Sequence, residues 1–320
     1  MKILITGGLG FIGSNFIRYI IKKYPKIQIV NLDKQTYASC QANLKDIGQD
    51  RRYHYIKGDI CNRKTVEIAM RGCSVVINFA AETHVDRSIQ DAGAFLKTNV
   101  FGVYVLLEVA RLYKVSRFIQ ISTDEVYGSR LKGSFKEDDG LAPNSPYSSS
   151  KAAADLLVRS YVKTYKMPLV ITRTSNNFGP YQFPEKVIPL FITHLLEGKK
   201  VPLYGDGKNV RDWIYVLDNC RGIDLVSNKG KIGQIYNIAS GFEMSNIELT
   251  EYILKILGKS KTQIKYVKDR PGHDRRYSLD TTKIRALGFK PAFDFLKYIT
   301  LTAHWYQQNQ KWWKRLKKRY

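Results

Sequence analysis

Short apolar runs and longer amphipathic ones alternate through the first half of the chain. Lys2 to Thr6 is apolar, Gly7-Gly8-Leu9-Gly10-Phe11-Ile12-Gly13 follows, and a helical period then runs to Lys23. Gln28 to Leu32 is the next apolar run and ends on Asp33. Tyr53 to Lys57 and Val75 to Phe79 repeat the pattern, running into Gly58-Asp59-Ile60 and Ala80-Ala81-Glu82. A helix is predicted from about Phe95 to Tyr113, a buried strand over Phe118 to Ile121, a helix from Tyr147 to Lys163 and a strand over Leu169 to Thr172. Strands alternating with helices predict a parallel sheet covered on both faces.

After Arg173 the alternation breaks. Asn176-Asn177-Phe178-Gly179-Pro180-Tyr181 is turn chemistry, and Pro184, Pro189 and Pro202 interrupt the segment beyond it. Arg211 to Val216 and Tyr236 to Ile238 read as short strands. Ser245, with Glu248 three residues on, reads as the capping box of a helix to Leu257. The expected fold class is α/β, a doubly wound parallel Rossmann sheet with a smaller mixed α/β substrate lobe. Residues 1–177 plus 211–240 are assigned to the first and 178–210 plus 241–320 to the second. No internal repeat is visible.

Composition changes this picture little. The 320 residues are 44% hydrophobic and 25% charged, ordinary for a globular chain. The four cysteines form no CxxC and the five histidines do not gather near them, so neither a metal site nor a disulfide framework is expected. The N-terminus lacks a signal-peptide pattern, and no apolar run approaches the ~20 residues that span a bilayer. A cytoplasmic location is expected. Charge is the exception: 52 Lys+Arg against 28 Asp+Glu, with a dense basic run from Lys311 to Arg319. Such a run suits nucleic acid or an anionic membrane, or simply forms a solvated terminal helix. No nucleic-acid motif accompanies it, so no specific nucleic-acid or membrane partner is expected. A positive field also draws in anionic nucleotides.

Two places carry candidate chemistry. The glycine-rich run lies between a strand and a helix, and Asp33 stands 20 residues after Gly13. That is the arrangement in which a backbone turn approaches a pyrophosphate and a carboxylate takes the ribose hydroxyls of adenosine. Asp33 would repel a 2′-phosphate, so NAD is expected over NADP; Lys34 beside it tempers this. Ala80-Ala81 either makes room for the cofactor or serves ordinary packing. The second place is Thr123-Asp124-Glu125, where a strand hands over to a loop, with Tyr147 and Lys151 downstream. Four residues apart on a helix is one face. A tyrosine needs its pKa of ~10 lowered by about 3 units to act as a base near neutrality. One cation ~4 Å away at an effective dielectric near 20 supplies about that much. Adjacent buried carboxylates repel, so one pKa rises and the pair titrates together. Chance YxxxK spacings and solvated acidic loops are the plain alternatives.

These motifs, with Ala80 to Ser88, Ser175 to Tyr181, Phe183 to Lys186, Arg211-Asp212-Trp213 and Asp269 to Tyr277, resemble the extended short-chain dehydrogenase/reductases, and within them the dTDP-glucose 4,6-dehydratases. The resemblance implies that Tyr147 takes the sugar 4-hydroxyl proton, with Thr123 orienting that hydroxyl. Glu125 removes the C5 proton and Asp124 protonates the departing 6-hydroxyl. It implies a cofactor site of Gly7, Gly10, Phe11, Ile12, Gly13, Asp33, Lys34, Asp59, Ile60, Phe79, Ala80, Ala81, Thr98, Tyr147, Lys151 and Asn177. Thr83, Thr123, Asn176, Glu185, Lys186, Arg211, Asn246, Arg270 and His273 are implied for the nucleotide-sugar substrate, dTDP-glucose. A homodimer built on the two long helices is expected, from apolar residues on more than one face (Val103, Leu106, Leu107; Leu156, Leu157, Val158). The basic tail has no counterpart expected in that family. Epimerases and decarboxylases have no need of the Asp124-Glu125 pair. UDP-sugar dehydratases, and a non-catalytic NAD-sensing or nucleic-acid-binding relative, are the remaining alternatives.

Overall fold

The computed structural model describes residues 1–292 and 294–318; Arg319, the end of the basic run, lies outside the described residues. Twelve strands are present among them: β1 (Lys2–Thr6), β2 (Gln28–Asp33), β3 (Tyr53–Lys57), β4 (Val75–Asn78), β5 (Arg117–Thr123), β6 (Leu169–Thr174), β7 (Asn176–Phe178), β8 (Val201–Tyr204), β9 (Val210–Tyr215), β10 (Ile235–Ile238), β11 (Glu243–Ser245) and β12 (Ile264–Val267). Seven form one sheet in the order β10-β6-β5-β4-β1-β2-β3, every neighbouring pair parallel. The chain starts at β1, winds outward to β3, then returns to β4 and winds the other way. That reversal is the doubly wound topology, and it opens a crevice at the carboxyl ends of β1 and β4. The inner strands are Ile- and Val-rich because helices cover both faces; Leu4, Ile5, Val76, Phe118 and Ile119 are buried.

Polar side chains also cross the sheet. Thr6 Oγ1 donates to Asn78 Oδ1 (2.5 Å), and Asn78 Nδ2 donates to Gln120 Oε1 (2.9 Å). This line of paired groups ties β1, β4 and β5 together inside the core, where unpaired polar groups are costly.

The second half forms two small sheets, β11-β9-β7 and β12-β8. The Asn176–Phe178 segment, read as turn chemistry, is a short strand paired with β9. Pro189 does not interrupt the fold. It lies in the first turn of the Val187–Leu196 helix, where a missing N–H has no intrahelical partner to lose. The Ser245 capping box is formed as expected, opening the Asn246–Ile256 helix.

The predicted helix from 95 to 113 is compound: Gly93–Phe95, a π-helical turn Leu96–Phe101, then Gly102–Leu112. Against the expectation of no bilayer-length run, Gly93–Leu112 is long and apolar enough by length and composition to cross a membrane, but half of it is buried inside the protein. The apolar residues that suggested a second helix face also divide differently. Val103, Leu106, Leu107 and Val158 belong to the chain's own core, whereas Leu156, with Leu96, Phe101, Tyr104, Leu112 and Tyr165, is exposed.

Candidate active site

A cavity of about 310 Å³ follows the carboxyl edge of the large sheet, from the glycine-rich turn to Lys186. All sixteen cofactor candidates line it: Gly7, Gly10, Phe11, Ile12, Gly13, Asp33, Lys34, Asp59, Ile60, Phe79, Ala80, Ala81, Thr98, Tyr147, Lys151 and Asn177. Thr83, Thr123, Asp124, Glu125, Asn176, Glu185 and Lys186 line it as well.

The cradle end is shaped by close backbone approach. Gly7 has φ +68°, and a Cβ there would lie 2.6 Å from the Ala80 nitrogen. A Cβ on Gly13 would lie 2.5 Å from the Gly7 carbonyl oxygen. Asp33 accepts from Leu9 N–H (2.9 Å) and Gln35 N–H (2.7 Å), which fixes its carboxylate beside the turn; burial raises its pKa. Lys34 pairs with Asp59 at 2.8 Å. The buried Asn176 Oδ1 and Asn177 Oδ1 have no protein partner. Side-chain-free turns and unmet polar atoms along one trough fit a bound dinucleotide.

The catalytic candidates are set by two local devices. β5 continues through Thr123, which caps a single helical turn, Asp124–Tyr127; Thr123 Oγ1 accepts from Glu125 N–H at 3.3 Å. The turn brings both carboxylates to the same cavity instead of to opposite faces of a strand. The second device is the start of the Pro146–Tyr165 helix, where Ser145 and Ser148 cap each other reciprocally. Tyr147 then lies in the first turn, its N–H donating to Ser88 Oγ at 3.1 Å.

Electrostatics separate the carboxylates. Asp124 is buried, and burial followed by the charge of Glu125 pushes its pKa well above the usual range. One of its oxygens accepts from Thr123 at 3.1 Å and the other has no partner. Glu125 is also raised by burial, but Arg270, Lys186 and Arg211 oppose this. The upward push on Asp124 favours its protonated form, while the three cations leave Glu125 the more readily ionised of the two.

Lys151, helped by the positive charge of an oxidised nicotinamide, is expected to lower Tyr147; among the protein's own groups Lys151 does not lower it. Burial and then Glu125 raise the phenol's pKa, partly opposed by its hydrogen bond with Thr123. Lys151 instead donates to the Ile121 carbonyl at 2.6 Å, and burial brings it down to about 8. Its one nearby counter-charge is Asp155, one helical turn on, which pairs with Arg173 at 2.9 Å in the core.

The substrate candidates are only partly gathered. Lys186 donates to the Thr83 carbonyl at 2.8 Å. Glu185 accepts from the Tyr37 hydroxyl at 2.9 Å and faces His84 and Arg87, each at 3.6 Å. Arg211, Asn246, Arg270 and His273 do not line the cavity wall. Arg211 is buried, donates to the Asp274 carbonyl at 2.9 Å and stacks over Tyr277, yet its charge reaches both carboxylates. Arg270 lies 3.7 Å from Asp86 with its Nε unpartnered, and His273 is held by Asp269 at 2.6 Å. Asn246 opens its helix, its N–H on the Asn209 carbonyl. Sequence reasoning missed Thr36, Ala38, Ser39, Glu82, Gln182 and Phe183, all in the cavity wall. Glu82 and Phe183 stood inside recognisable motifs; the loop after Asp33 carries no periodic signal. Among the described residues no cluster of His, Cys, Asp or Glu suits a metal ion.

A dinucleotide cradle continuous with acid–base side chains on a doubly wound sheet makes this a Rossmann-fold enzyme of the short-chain dehydrogenase/reductase type. Residues 4–302 match the GDP-mannose 4,6 dehydratase family, and the chain belongs to it. It is 48% identical to a dTDP-glucose 4,6-dehydratase of Streptomyces niveus, over 99% of this chain and 96% of that protein. It is 52% identical to the low-salt glycan biosynthesis protein Agl12 of Haloferax volcanii, over 92% of this chain and 95% of that one. Among solved structures, DesIV, a dTDP-glucose 4,6-dehydratase from Streptomyces venezuelae with NAD and TYD bound, superposes with a TM-score of 0.97 at 47% identity, covering 99% of this chain and 100% of that one. UDP-glucuronic acid 4-epimerase of Bacillus cereus superposes at 0.91 with 29% identity, covering 96% of this chain and 99% of its own. The family model ends at residue 302, before the basic run from Lys311, whereas the Streptomyces niveus match extends over 99% of this chain.

Proposed function

We propose that the protein is a hydro-lyase that converts dTDP-glucose to dTDP-4-keto-6-deoxyglucose, with NAD as a retained cofactor. The observation that carries the reading is the Asp124-Glu125 pair, two neighbouring carboxylates in one cavity, both raised by burial but Glu125 opposed in this by three cations. The fold alone does not choose, since the 4-epimerase shares it. An elimination of water needs both a proton donor and a proton acceptor, and the pair supplies them.

In this reading Tyr147 takes the proton of the sugar 4-hydroxyl, held in line by Thr123. NAD held by the glycine-rich turn, Asp33, Tyr147 and Lys151 would supply the hydride exchange with the sugar, and the positive charge of its oxidised ring would help Tyr147 to ionise beside Lys151. Oxidation at C4 acidifies C5, and Glu125 removes the C5 proton. Asp124 delivers its proton to the departing 6-hydroxyl, which leaves as water, and Glu125 can give its proton back to C5. Arg270, Lys186 and Arg211 keep Glu125 ionisable and suit the diphosphate, a guanidinium fork matching phosphate oxygens.

Residues 1–177 plus 211–240 hold the cofactor in this reading, and 178–210 plus 241–320 the nucleotide. The exposed apolar residues of the Gly102–Leu112 and Pro146–Tyr165 helices support a homodimer formed across them. Four unpaired thiols suit a reducing compartment, the cytoplasm. The test is incubation of the purified protein with dTDP-glucose, UDP-glucose and GDP-mannose separately. A 4-keto product absorbing in alkali is expected with dTDP-glucose. The same product from another donor alone reassigns the base, and none from any overturns the reading.

A further inference from the structure

The C-terminal Gln310–Lys317 helix is basic outside and aromatic inside. Trp313 and Leu316 are buried. Leu316 and Trp312 pack with Cys40, Ala38 and Phe183, and both Ala38 and Phe183 form part of the cofactor cavity wall. The helix therefore buttresses that wall from behind.

Hydrogen bonds carry the contact further. The Trp312 indole N–H donates to Asn43 Oδ1 at 2.8 Å, and Asn43 Nδ2 donates to the Leu9 carbonyl at 2.8 Å. Leu9 lies in the glycine-rich turn, and its own N–H donates to Asp33 at 2.9 Å. One terminal indole is thus linked through a single side chain to the peptide that positions the ribose-reading carboxylate. Beside this cluster, Tyr181 takes a left-handed φ of +68° just before Gln182 and Phe183. Such a backbone persists only where its surroundings over-determine it. Here its ring packs against Trp305 (4.7 Å between centroids) and Trp312 (5.9 Å). Trp312 is the side chain that meets both the Asn43–Leu9 link and the Tyr181 turn.

We propose that the C-terminal helix is a clamp that sets how long the dinucleotide stays bound, with Trp312 as its positioning residue. The proposal rests on the reading that NAD is the cofactor. A reaction that returns its hydride every cycle has no need to release the cofactor, and a clamp on the cradle serves that economy.

The test uses full-length protein loaded with NAD, with release followed after dilution and the melting temperature and KM for dTDP-glucose measured in parallel. Trp312→Phe keeps most of the ring and removes the donor, so release should speed about five-fold, the worth of one ordinary hydrogen bond. Trp312→Ala should release NAD faster still, and Asn43→Ala, which removes this bond and the one to the Leu9 carbonyl, should release it at least as fast as Trp312→Phe. KM for the nucleotide sugar should stay near the wild-type value in all three. The outward Lys311→Gln/Arg315→Gln variant should release NAD at the wild-type rate. Wild-type release rates in Trp312→Phe and Asn43→Ala, with or without a lowered melting temperature, would overturn the clamp. Equal acceleration by the outward double variant would overturn it too, since charge would then be the cause. Wild-type protein that takes up no NAD overturns the cofactor reading itself.

Discussion

Asp124→Asn should separate chemistry from stability at a single atom. In the wild type burial and then Glu125 push the carboxyl's pKa well above the usual range, which favours the neutral form. An amide has the same shape and is also neutral. Its oxygen can keep the Thr123 hydrogen bond, and its NH2 takes the place of an oxygen that has no partner. What disappears is the transferable proton. General acid catalysis is worth about 10²–10⁴-fold, or roughly 3–5 kcal/mol of barrier, so product formation should fall by that factor. Stability should not fall. A carboxyl whose folded pKa is raised contributes most below its unfolded value, and that contribution is lost as pH rises through the folded pKa. Replacing it by Asn removes the loss. The variant should therefore melt at or above the wild-type temperature at pH 8, the difference closing toward pH 4. Alkaline absorbance of the 4-keto product measures the first effect and calorimetry at the two pH values the second. A variant that turns over at the native rate refutes the acid role. One that melts well below wild type at pH 8 refutes the neutral state from which that role was argued.

Glu125→Gln should also stall elimination after oxidation, so both carboxylate variants should accumulate the reduced-nicotinamide absorbance on mixing with substrate, while Tyr147→Phe, which blocks oxidation, shows little; equal traces from all three would remove the division of roles. Asp33→Asn should relax discrimination against NADP by at least about ten-fold, since one charge ~5 Å away at an effective dielectric near 20 is worth roughly 3 kcal/mol, and unchanged selectivity in a cofactor titration would show that Asp33 does not read the ribose. His84 is brought down to about 4, first by burial and then by Lys186, so its contribution is present above the unfolded value of 6.5 and lost as pH falls through 4. His84→Asn keeps a side-chain acceptor for the helix N-terminus and should flatten the acid limb of a melting-temperature profile by up to about 3 kcal/mol; an unchanged limb would argue against it. Leu156→Arg should yield a monomer by light scattering, and an unchanged dimer mass would place the interface elsewhere.

The chain's order of strands and helices, the glycine-rich turn with Asp33 after it, and the Asp-Glu pair at a strand end were all legible in the sequence. Each is a local signal: a period of side chains, a backbone that only glycine permits, or a change from strand to turn. The Ser245 capping box was legible for the same reason. The Val187–Leu196 helix was obscured because Pro189, read as a breaker, falls where a helix tolerates it. The Val216–Lys229 helix and the π-helical turn at Leu96–Phe101 carried no distinct local signal. Only the tertiary structure decided the state of the site. Asp124 and Glu125 are neighbours in sequence, yet cations from Lys186, Arg211 and Arg270, far along the chain, make one more readily ionised than the other. Tyr147 and Lys151 stand four apart, yet burial, with Glu125 for the phenol and Asp155 for the amine, shifts their pKa values, not their spacing. Trp312 meets Asn43 across 269 positions. Secondary structure is dictated by near neighbours, whereas a pKa or a cavity wall depends on whatever the fold brings within a few ångströms, and no short-range pattern encodes that.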